Sequence, residues 1–299
     1  MHHPGVQVSD MQVGSVRVNG VDLAYIEDGP RQGALALCLH GFPDTAHTWR
    51  HLLPDLAARG YHAVAPWMRG YSPSDVPADG CYQTGALASD ACALHEAMGA
   101  DGDAVLIGHD WGALAAYGAA AYQADRWRRV VALAVPPPST MIATFLSYEQ
   151  VKRSFYMFFF QSPLAEMAVG MDNYCFLDKL WADWSPGYNA SADLELVKQA
   201  IGSPVNIHAA IGYYRAMFDP SLHDPLYAPA QSSSGSVPTQ PTLYLHGAND
   251  GCIGAEVTRG LLEQLPSGSQ CELVENAGHF LHLERPGLVS SRILSFVTS

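Results

Sequence analysis

The feature that most limits the fold of this chain is a series of short, uninterrupted apolar runs separated by helical patterns. The runs are "ALALCLHG" (34–41), "HAVAP" (62–66), "DAVLIG" (103–108) and "TLYLHG" (242–247). Runs of this length without polar alternation are typical of strands that are buried on both faces of a parallel sheet. Helical patterns lie between them, at 84–99 and 111–125 for example. The sequence therefore predicts an α/β fold, with a mostly parallel, doubly wound sheet built from β-α-β crossovers.

Other segments complete this prediction. "VRVNGVDLAYIEDG" (16–29) alternates around Asn19-Gly20, a pair that favours a two-residue hairpin turn. Further strands are predicted at 129–138 and 271–276, and further helices at 48–60, near 255–265 and near 286–298.

The alternation of strand and helix patterns ends after Pro138. From Ser139 to Leu222 the chain is rich in aromatic residues and methionine and carries no strand pattern. We therefore predict a helical cap domain at 139–222, inserted into a core formed by 1–138 and 223–299. The Ser-rich stretch within 228–241, which includes 231–236, is interpreted as an exposed linker.

Composition excludes several classes of protein. The formal net charge of −13, without any Lys/Arg run, argues against a nucleic-acid partner. The six cysteines show no C-x-x-C spacing and are expected to be reduced, mostly buried thiols. The first residues, "MHHPGVQVSD", lack the pattern of a signal peptide, and no apolar run is long enough to span a membrane. We expect a cytoplasmic protein without a membrane partner, for which a homodimer is compatible with the sequence.

The segment "VLIGHDWGA" (105–113) carries a frame that normally presents a nucleophile. In G-x-S-x-G, a strand runs through a sharp turn into a helix, and the turn exposes the serine. Here Asp110 occupies the serine position between Gly108 and Gly112. An aspartate could instead cap the helix that begins near Trp111. Because a cap requires neither the two glycines nor the preceding strand, we interpret Asp110 as a nucleophile.

A loop after an early strand predicts the oxyanion hole. In this type of site, one backbone N–H comes from such a loop and the other from the residue after the nucleophile. In "CLHGFPDTAHTW" (38–49) this assigns the Phe42 N–H, together with the N–H of Trp111. His40 is interpreted as a structural residue that orients the loop.

Two later segments supply an acid and a histidine in the appropriate order. Asp250 follows a strand in "LHGANDGCI", and His279 lies in a turn in "NAGHFLHLERP". Nucleophile, acid and histidine in this chain order form a triad of the G-x-S-x-G type. His282 makes an H-x-x-H pair with His279, but without a third ligand we interpret it as a surface or helix-packing residue and expect no metal.

An aspartate nucleophile changes the task of the histidine. A carboxylate is already charged, so His279 is not required to activate it. Attack on carbon forms an alkyl ester, and His279, oriented by Asp250, would activate the water that hydrolyses it. This chemistry suits an electrophilic sp³ carbon, in an epoxide or bearing a halide, and needs no cofactor.

At these residues the chain resembles the α/β-hydrolase superfamily and, more narrowly, the epoxide hydrolases. The segments "HGFPDTAHTWR", "GHDWG", "HGANDG" and "GHFLHLERP" carry the resemblance, in order and spacing. It implies an α/β-hydrolase fold with a cap, and two cap tyrosines, Tyr156 and Tyr214, that protonate the epoxide oxygen. Both could instead be ordinary packing aromatics, and only the resemblance selects Tyr214 over Tyr213.

The expected substrate is a small hydrophobic epoxide, hydrolysed by water to a vicinal diol. Cap aromatics are expected to form the substrate pocket: Phe158, Phe160, Trp181 and Trp184. One alternative is a dehalogenase with the same nucleophile, although Phe42 stands where an asparagine would bind halide. The other is a non-catalytic receptor, which would not need the complete triad.

Overall fold

The computed structural model describes residues 12–299, and its centre is one eight-stranded sheet. The strands are β1 (Gln12–Val18), β2 (Val21–Asp28), β3 (Leu35–Leu39), β4 (His62–Pro66), β5 (Val105–His109), β6 (Arg129–Leu133), β7 (Thr242–Gly247) and β8 (Gln270–Val274). Their order across the sheet is β1-β2-β4-β3-β5-β6-β7-β8. Strands β3 to β8 are parallel, and only the β1-β2 and β2-β4 pairs are antiparallel.

Some helices pack on the sheet, and others lie in the connection between β6 and β7. The helices are α1 (Leu52–Ala57), α2 (Thr84–Ala97), α3 (Trp111–Tyr122), α4 (Pro138–Phe145), α5 (Tyr148–Arg153), α6 (Phe155–Phe159), α7 (Ala165–Gly170), α8 (Cys175–Trp184), α9 (Ser191–Ile201), α10 (Pro204–Phe218), α11 (Ala228–Ser233), α12 (Leu281–Glu284) and α13 (Pro286–Val297). Helices α1, α2, α3 and α13 pack on the sheet. Helix α1 contacts α13, whereas α2 contacts α3 and α11. The predicted doubly wound α/β fold is confirmed.

The strands form where the sequence predicts them, and the physical reasons are local. Strands β3 to β7 are almost entirely buried, as their uninterrupted apolar runs require. At the β1-β2 turn, Asn19 and Gly20 both have positive φ angles (48° and 78°), which the twist of a two-residue hairpin demands. The six cysteines are free thiols, four of them buried.

Two local predictions are wrong. The helix expected near 255–265 is instead a pair of short 3₁₀ turns, Ala255–Thr258 and Leu262–Gln264, separated by Gly260 with φ of +67°. The stretch interpreted as an exposed linker contains helix α11, which packs on α2 and α3. Ala230 and Ser234 are buried there, because the small residues allow close approach of the helices.

The cap prediction corresponds to the long connection between β6 and β7. Helices α4 to α11 lie in this connection, and the described residues between 134 and 241 contain no strand. The prediction that residues 1–10 do not form a signal peptide falls outside the described residues. Within 12–299, the helices are too short or too polar to cross a lipid bilayer.

Candidate active site

Asp110 lies in a strained turn between β5 and α3. Its backbone angles are φ 51° and ψ −118°, a combination that non-glycine residues rarely adopt and that costs about 1–3 kcal/mol. The turn is tight because Gly108 lies against Gly112; a Cβ at Gly108 would be 2.2 Å from the Gly112 carbonyl oxygen. The Asp110 side chain makes no capping hydrogen bond to α3. The geometry is therefore not that of a helix cap.

The loop after β3 contacts the Asp110 carboxylate directly. The Phe42 N–H donates a hydrogen bond to Asp110 Oδ1 at 2.8 Å. Only glycine fits at position 41, since a Cβ there would be 2.4 Å from the same oxygen. The N–H assigned to the oxyanion hole thus already points at the carboxyl group on which an ester would form. Trp111, which bears the second predicted N–H, is the first residue of α3.

His40 holds this loop in place. Its Nδ1 lies 2.9 Å from the Gly41 carbonyl oxygen, and its Nε2 accepts a hydrogen bond from the Met68 N–H. Burial lowers the pKa of His40 to about 4, so the ring is neutral and can accept that bond. The contacts agree with the structural role inferred from the sequence.

Asp250 and His279 form a buried pair at the carboxyl ends of β7 and β8. His279 Nδ1 lies 2.9 Å from Asp250 Oδ2, and Asp250 Oδ1 accepts hydrogen bonds from the N–H groups of Cys252 and Ile253. Burial raises the pKa of Asp250, but His279 and these amides outweigh it and hold the pKa below its usual value. Asp250 therefore remains ionised and fixes the orientation of the imidazole.

The other nitrogen of His279 faces Asp110. His279 Nε2 is 3.8 Å from Asp110 Oδ2 and has no hydrogen-bond partner in the described part of the chain. Burial by itself would lower the pKa of His279, but the nearby carboxylates Asp250 and Asp110 raise it to about 10. The structure thus brings the three predicted triad residues together.

Two tyrosines face the same cavity as Asp110. Tyr156 is on α6 and Tyr214 is on α10, and their rings lie 5.5 Å apart in an edge-to-face contact. The Tyr214 hydroxyl has no partner among the described residues, whereas the Tyr213 hydroxyl donates to the Arg69 carbonyl oxygen. Tyr214 therefore faces the cavity and Tyr213 packs within the fold. Burial raises the pKa of both cavity tyrosines well above 10, which keeps the phenols protonated.

The cavity itself has a volume of about 390 Å³ and is mainly apolar. Its floor is Asp110, with Trp111 and Leu114 beside it, and its walls come chiefly from helices between β6 and β7. A size of this order suits a small organic molecule.

The chain also matches known proteins along most of its length. The model of a family described as "Alpha/beta hydrolase family" matches residues 36–292. The chain belongs to the alpha/beta hydrolase family. An epoxide hydrolase from Caballeronia sordidicola is 30% identical to this alpha/beta hydrolase, over 94% of this chain and 92% of the relative. Mouse epoxide hydrolase 3 is 31% identical, over 92% of this chain and 74% of its own.

A solved structure supports the same relationship. The crystal structure of Bacillus megaterium epoxide hydrolase in complex with an inhibitor is 27% identical to this alpha/beta hydrolase and has a TM-score of 0.81. The match covers 96% of this chain and the whole of the other chain. The fold and the family are therefore shown over nearly the full length of this hydrolase.

The four aromatic residues predicted to line the pocket do not line the cavity. Phe158 is 44% exposed and packs on Phe218. Phe160, Trp181 and Trp184 are buried behind the cavity wall. Trp181, for example, stacks on Phe280 at 3.5 Å and donates its indole N–H to the Pro43 carbonyl oxygen. Large aromatic rings that fill the space between elements leave no cavity beside them. In this segment, the high content of aromatic residues therefore indicates packing and not a pocket.

Sequence reasoning missed the anchor of the histidine loop. The Trp184 carbonyl oxygen accepts hydrogen bonds from the N–H groups of both Gly251 and His279. Ser185 Oγ accepts a hydrogen bond from the Phe280 N–H and donates one to Glu284. The end of α8 thereby joins the loops that carry Asp250 and His279. Because the first contact uses backbone atoms, no sequence signal could have revealed it.

A second buried group lies beside the triad. Asp44, His109 and His282 each offer a ligand atom, and these atoms lie within 4.8 Å of one another, so among the described residues this trio could hold a metal ion. Of the two interpretations of His282, helix packing agrees with its 5% exposure and its stacking on Trp49, whereas a surface position does not. Asp44 and His109 were missed because they are distant from His282 in the chain.

Proposed function

We propose that this alpha/beta hydrolase is an epoxide hydrolase, which adds water to a small hydrophobic epoxide to form a vicinal diol. One observation carries the proposal: the Asp110 carboxylate is at the floor of an apolar cavity that Tyr156 and Tyr214 also face. A nucleophile on one side and two proton donors on the other are what opening a strained ring requires. The named epoxide hydrolases among the relatives support the same function.

In the first step, an Asp110 carboxylate oxygen attacks a ring carbon. The carbon–oxygen bond of the ring breaks, and a tyrosine hydroxyl donates its proton to the departing oxygen. The product is an alkyl ester of Asp110 that bears a free hydroxyl group. The raised pKa values of Tyr156 and Tyr214 ensure that a proton is present on each phenol at neutral pH.

Ester formation prepares His279 for the second step. The negative charge of Asp110 contributes to the raised pKa of His279, and esterification removes that charge. The pKa of His279 then falls, and the proton that it releases restores the phenol, so the neutral imidazole can act as a base toward water. Water attacks the Asp110 carbonyl carbon while the Phe42 and Trp111 N–H groups bind the oxyanion. One water proton reaches the leaving alkoxide and the other stays on His279, whose pKa rises again when the Asp110 carboxylate re-forms.

The segment 139–222 has the role of a cap in this scheme. It supplies both tyrosines and several apolar cavity residues, whereas the core supplies Asp110, Asp250 and His279. An apolar cap over the nucleophile excludes bulk water from the first step, which strengthens the interaction between the phenols and the developing alkoxide.

Trapping the ester tests this function. We expect the His279→Gln variant, incubated with styrene oxide, to accumulate an adduct of the mass of the epoxide on the peptide that contains Asp110, because ester hydrolysis lacks its base. Mass spectrometry of the digested protein measures the adduct. Asp110→Asn is the matched control and should carry none. An active wild-type enzyme whose His279→Gln variant shows no adduct would exclude the ester route, and halide release from haloalkanes without diol formation would favour a dehalogenase.

A further inference from the structure

The cavity that Asp110 lines is bordered by α2, α3, α4, α10 and α11. Apart from the residues around Asp110, its wall is formed by Met141, Ile142 and Phe145 on α4 and by Met217 on α10, and it continues to Gln231 and Ser234 near α11. A substrate group that binds in this space therefore extends from the reacting carbon toward these residues.

Outside the cavity, packed aromatic rings contact the reacting groups. The ring centroids of Phe42 and Phe160 lie 5.5 Å apart, and those of Phe160 and Tyr214 lie 5.3 Å apart. The ring of Trp184 packs against those of Tyr156 and His279, with centroid distances of 5.0 and 5.2 Å. The rings of Phe42, Phe160 and Trp184 are at most 1% exposed, and none lines the cavity.

The positions of the reacting groups determine how an epoxide fits. The ring oxygen must approach Tyr156 and Tyr214 while a ring carbon approaches Asp110. The two ring carbons then differ in their surroundings, because the substituent of one can enter the cavity and that of the other meets the aromatic rings. Protein interiors are close-packed, so an added group on that side forces side chains away from their preferred rotamers.

We propose, on the basis of the epoxide hydrolase function above, that the enzyme selects terminal epoxides with a single elongated apolar substituent. Epoxides substituted on both ring carbons are poor substrates, because Phe42, Phe160 and Trp184 occupy the space that the second substituent needs. Phe160 is the specificity-determining residue of this wall, since it contacts Tyr214 and Phe42 together.

Two isomeric substrates test the proposal with composition held constant. We expect kcat/KM for 1,2-epoxyoctane to exceed that for trans-4,5-epoxyoctane by at least about tenfold, the scale on which apolar pockets discriminate by size. Diol formation is measured by gas chromatography. Similar kcat/KM values for both isomers would overturn the proposal but leave the epoxide hydrolase function intact. Failure to hydrolyse either isomer, 1,2-epoxybutane and styrene oxide would overturn both.

Two variants test which residues cause the preference for the terminal epoxide. Phe160→Ala should raise the kcat/KM ratio of trans-4,5-epoxyoctane to 1,2-epoxyoctane, because it opens space beside Tyr214. Leu114→Trp, on the cavity side, should lower activity toward 1,2-epoxyoctane much more than toward 1,2-epoxybutane, because the long chain needs that space. An unchanged isomer ratio in a folded Phe160→Ala variant, or equal losses for the long and short epoxides in Leu114→Trp, would contradict the assignment of the two sides.

Discussion

At the scale of single residues, the pKa of His279 depends on the charge of Asp110. His279 Nε2 and Asp110 Oδ2 are 3.8 Å apart, and both carboxylates near the imidazole, Asp110 and Asp250, are buried. A unit charge this close has a large effect on a buried titratable group. In the proposed mechanism, the protonation state of His279 therefore follows the charge on Asp110.

Removing that charge should be visible in His279 itself. In Asp110→Asn, we expect the pKa of His279 to fall from about 10, because one of the two carboxylates that raise it is lost. Nuclear magnetic resonance titration of the imidazole nitrogens measures the change. Glu263→Gln, which neutralises an exposed carboxylate elsewhere, is the control and should leave the His279 titration unchanged. A His279 pKa that is equal in all three proteins would contradict the coupling.

The two tyrosines should act together as proton donors. We expect Tyr156→Phe or Tyr214→Phe alone to lower kcat for epoxide opening, and the double variant to lower it by about 10² to 10⁴, the usual contribution of general acid catalysis. The Tyr213→Phe variant is the control, since that hydroxyl binds the Arg69 carbonyl oxygen and does not face the cavity. Undiminished kcat in the double variant would show that the proton comes from elsewhere.

At the scale of elements, the end of α8 positions the histidine loop. Ser185 is 1% exposed, and its hydroxyl links the Phe280 N–H to Glu284. The neighbouring Trp184 carbonyl oxygen joins the loops of Asp250 and His279. A helix from the connection between β6 and β7 therefore stabilises the geometry of residues that belong to the core.

Loss of the Ser185 hydroxyl should affect both stability and catalysis. We expect Ser185→Ala to lower the free energy of unfolding by about 1–3 kcal/mol, since a buried N–H loses its partner, and to lower kcat because the His279 loop is less well fixed. Urea unfolding and steady-state kinetics measure the two effects. Ser191→Ala removes an exposed hydroxyl bonded to Asn189 and should change neither. Wild-type stability and kcat in Ser185→Ala would contradict the anchoring role.

At the scale of the whole molecule, several buried groups titrate differently in the folded and unfolded chain. Burial lowers the pKa of His40 to about 4, of His109 to about 3, and of His282 well below 6.5. Below pH 6.5 the unfolded chain therefore binds protons that the folded chain does not, and stability falls with falling pH. Burial raises the pKa of Asp44 to about 8, so its contribution has the opposite sign and offsets one histidine.

Stability should therefore be highest near pH 6.5. Between pH 4.5 and 6.5 we expect the free energy of unfolding to rise on the order of 1–3 kcal/mol per pH unit. Above pH 6.5 it should decline, because folded Asp44 and His279 hold protons that the unfolded chain has lost. Urea unfolding across this range measures the profile. A profile that is flat from pH 4.5 to 6.5 would show that these histidines are not held neutral.

The sequence determined the sheet and the meeting of Asp110, Asp250 and His279, because both follow from local pattern and chain order. Apolar runs of strand length specify β3 to β7 whatever surrounds them, and Gly108 and Gly112 specify the turn at Asp110 through close backbone contact. Chain order also pointed to Asp250 and His279, since parallel strands bring their carboxyl ends to one edge of the sheet.

Tertiary structure alone decided what surrounds those residues. The sequence does not distinguish aromatic rings that line a cavity from rings that fill the space behind it. Phe160 and Trp184 are buried and do not line the cavity. The choice of Tyr214 over Tyr213 depends on which hydroxyl finds a partner in a distant loop. Shape and hydrogen-bond partners arise from contacts between segments far apart in the chain, so only the packed molecule fixes the side on which a substrate can extend.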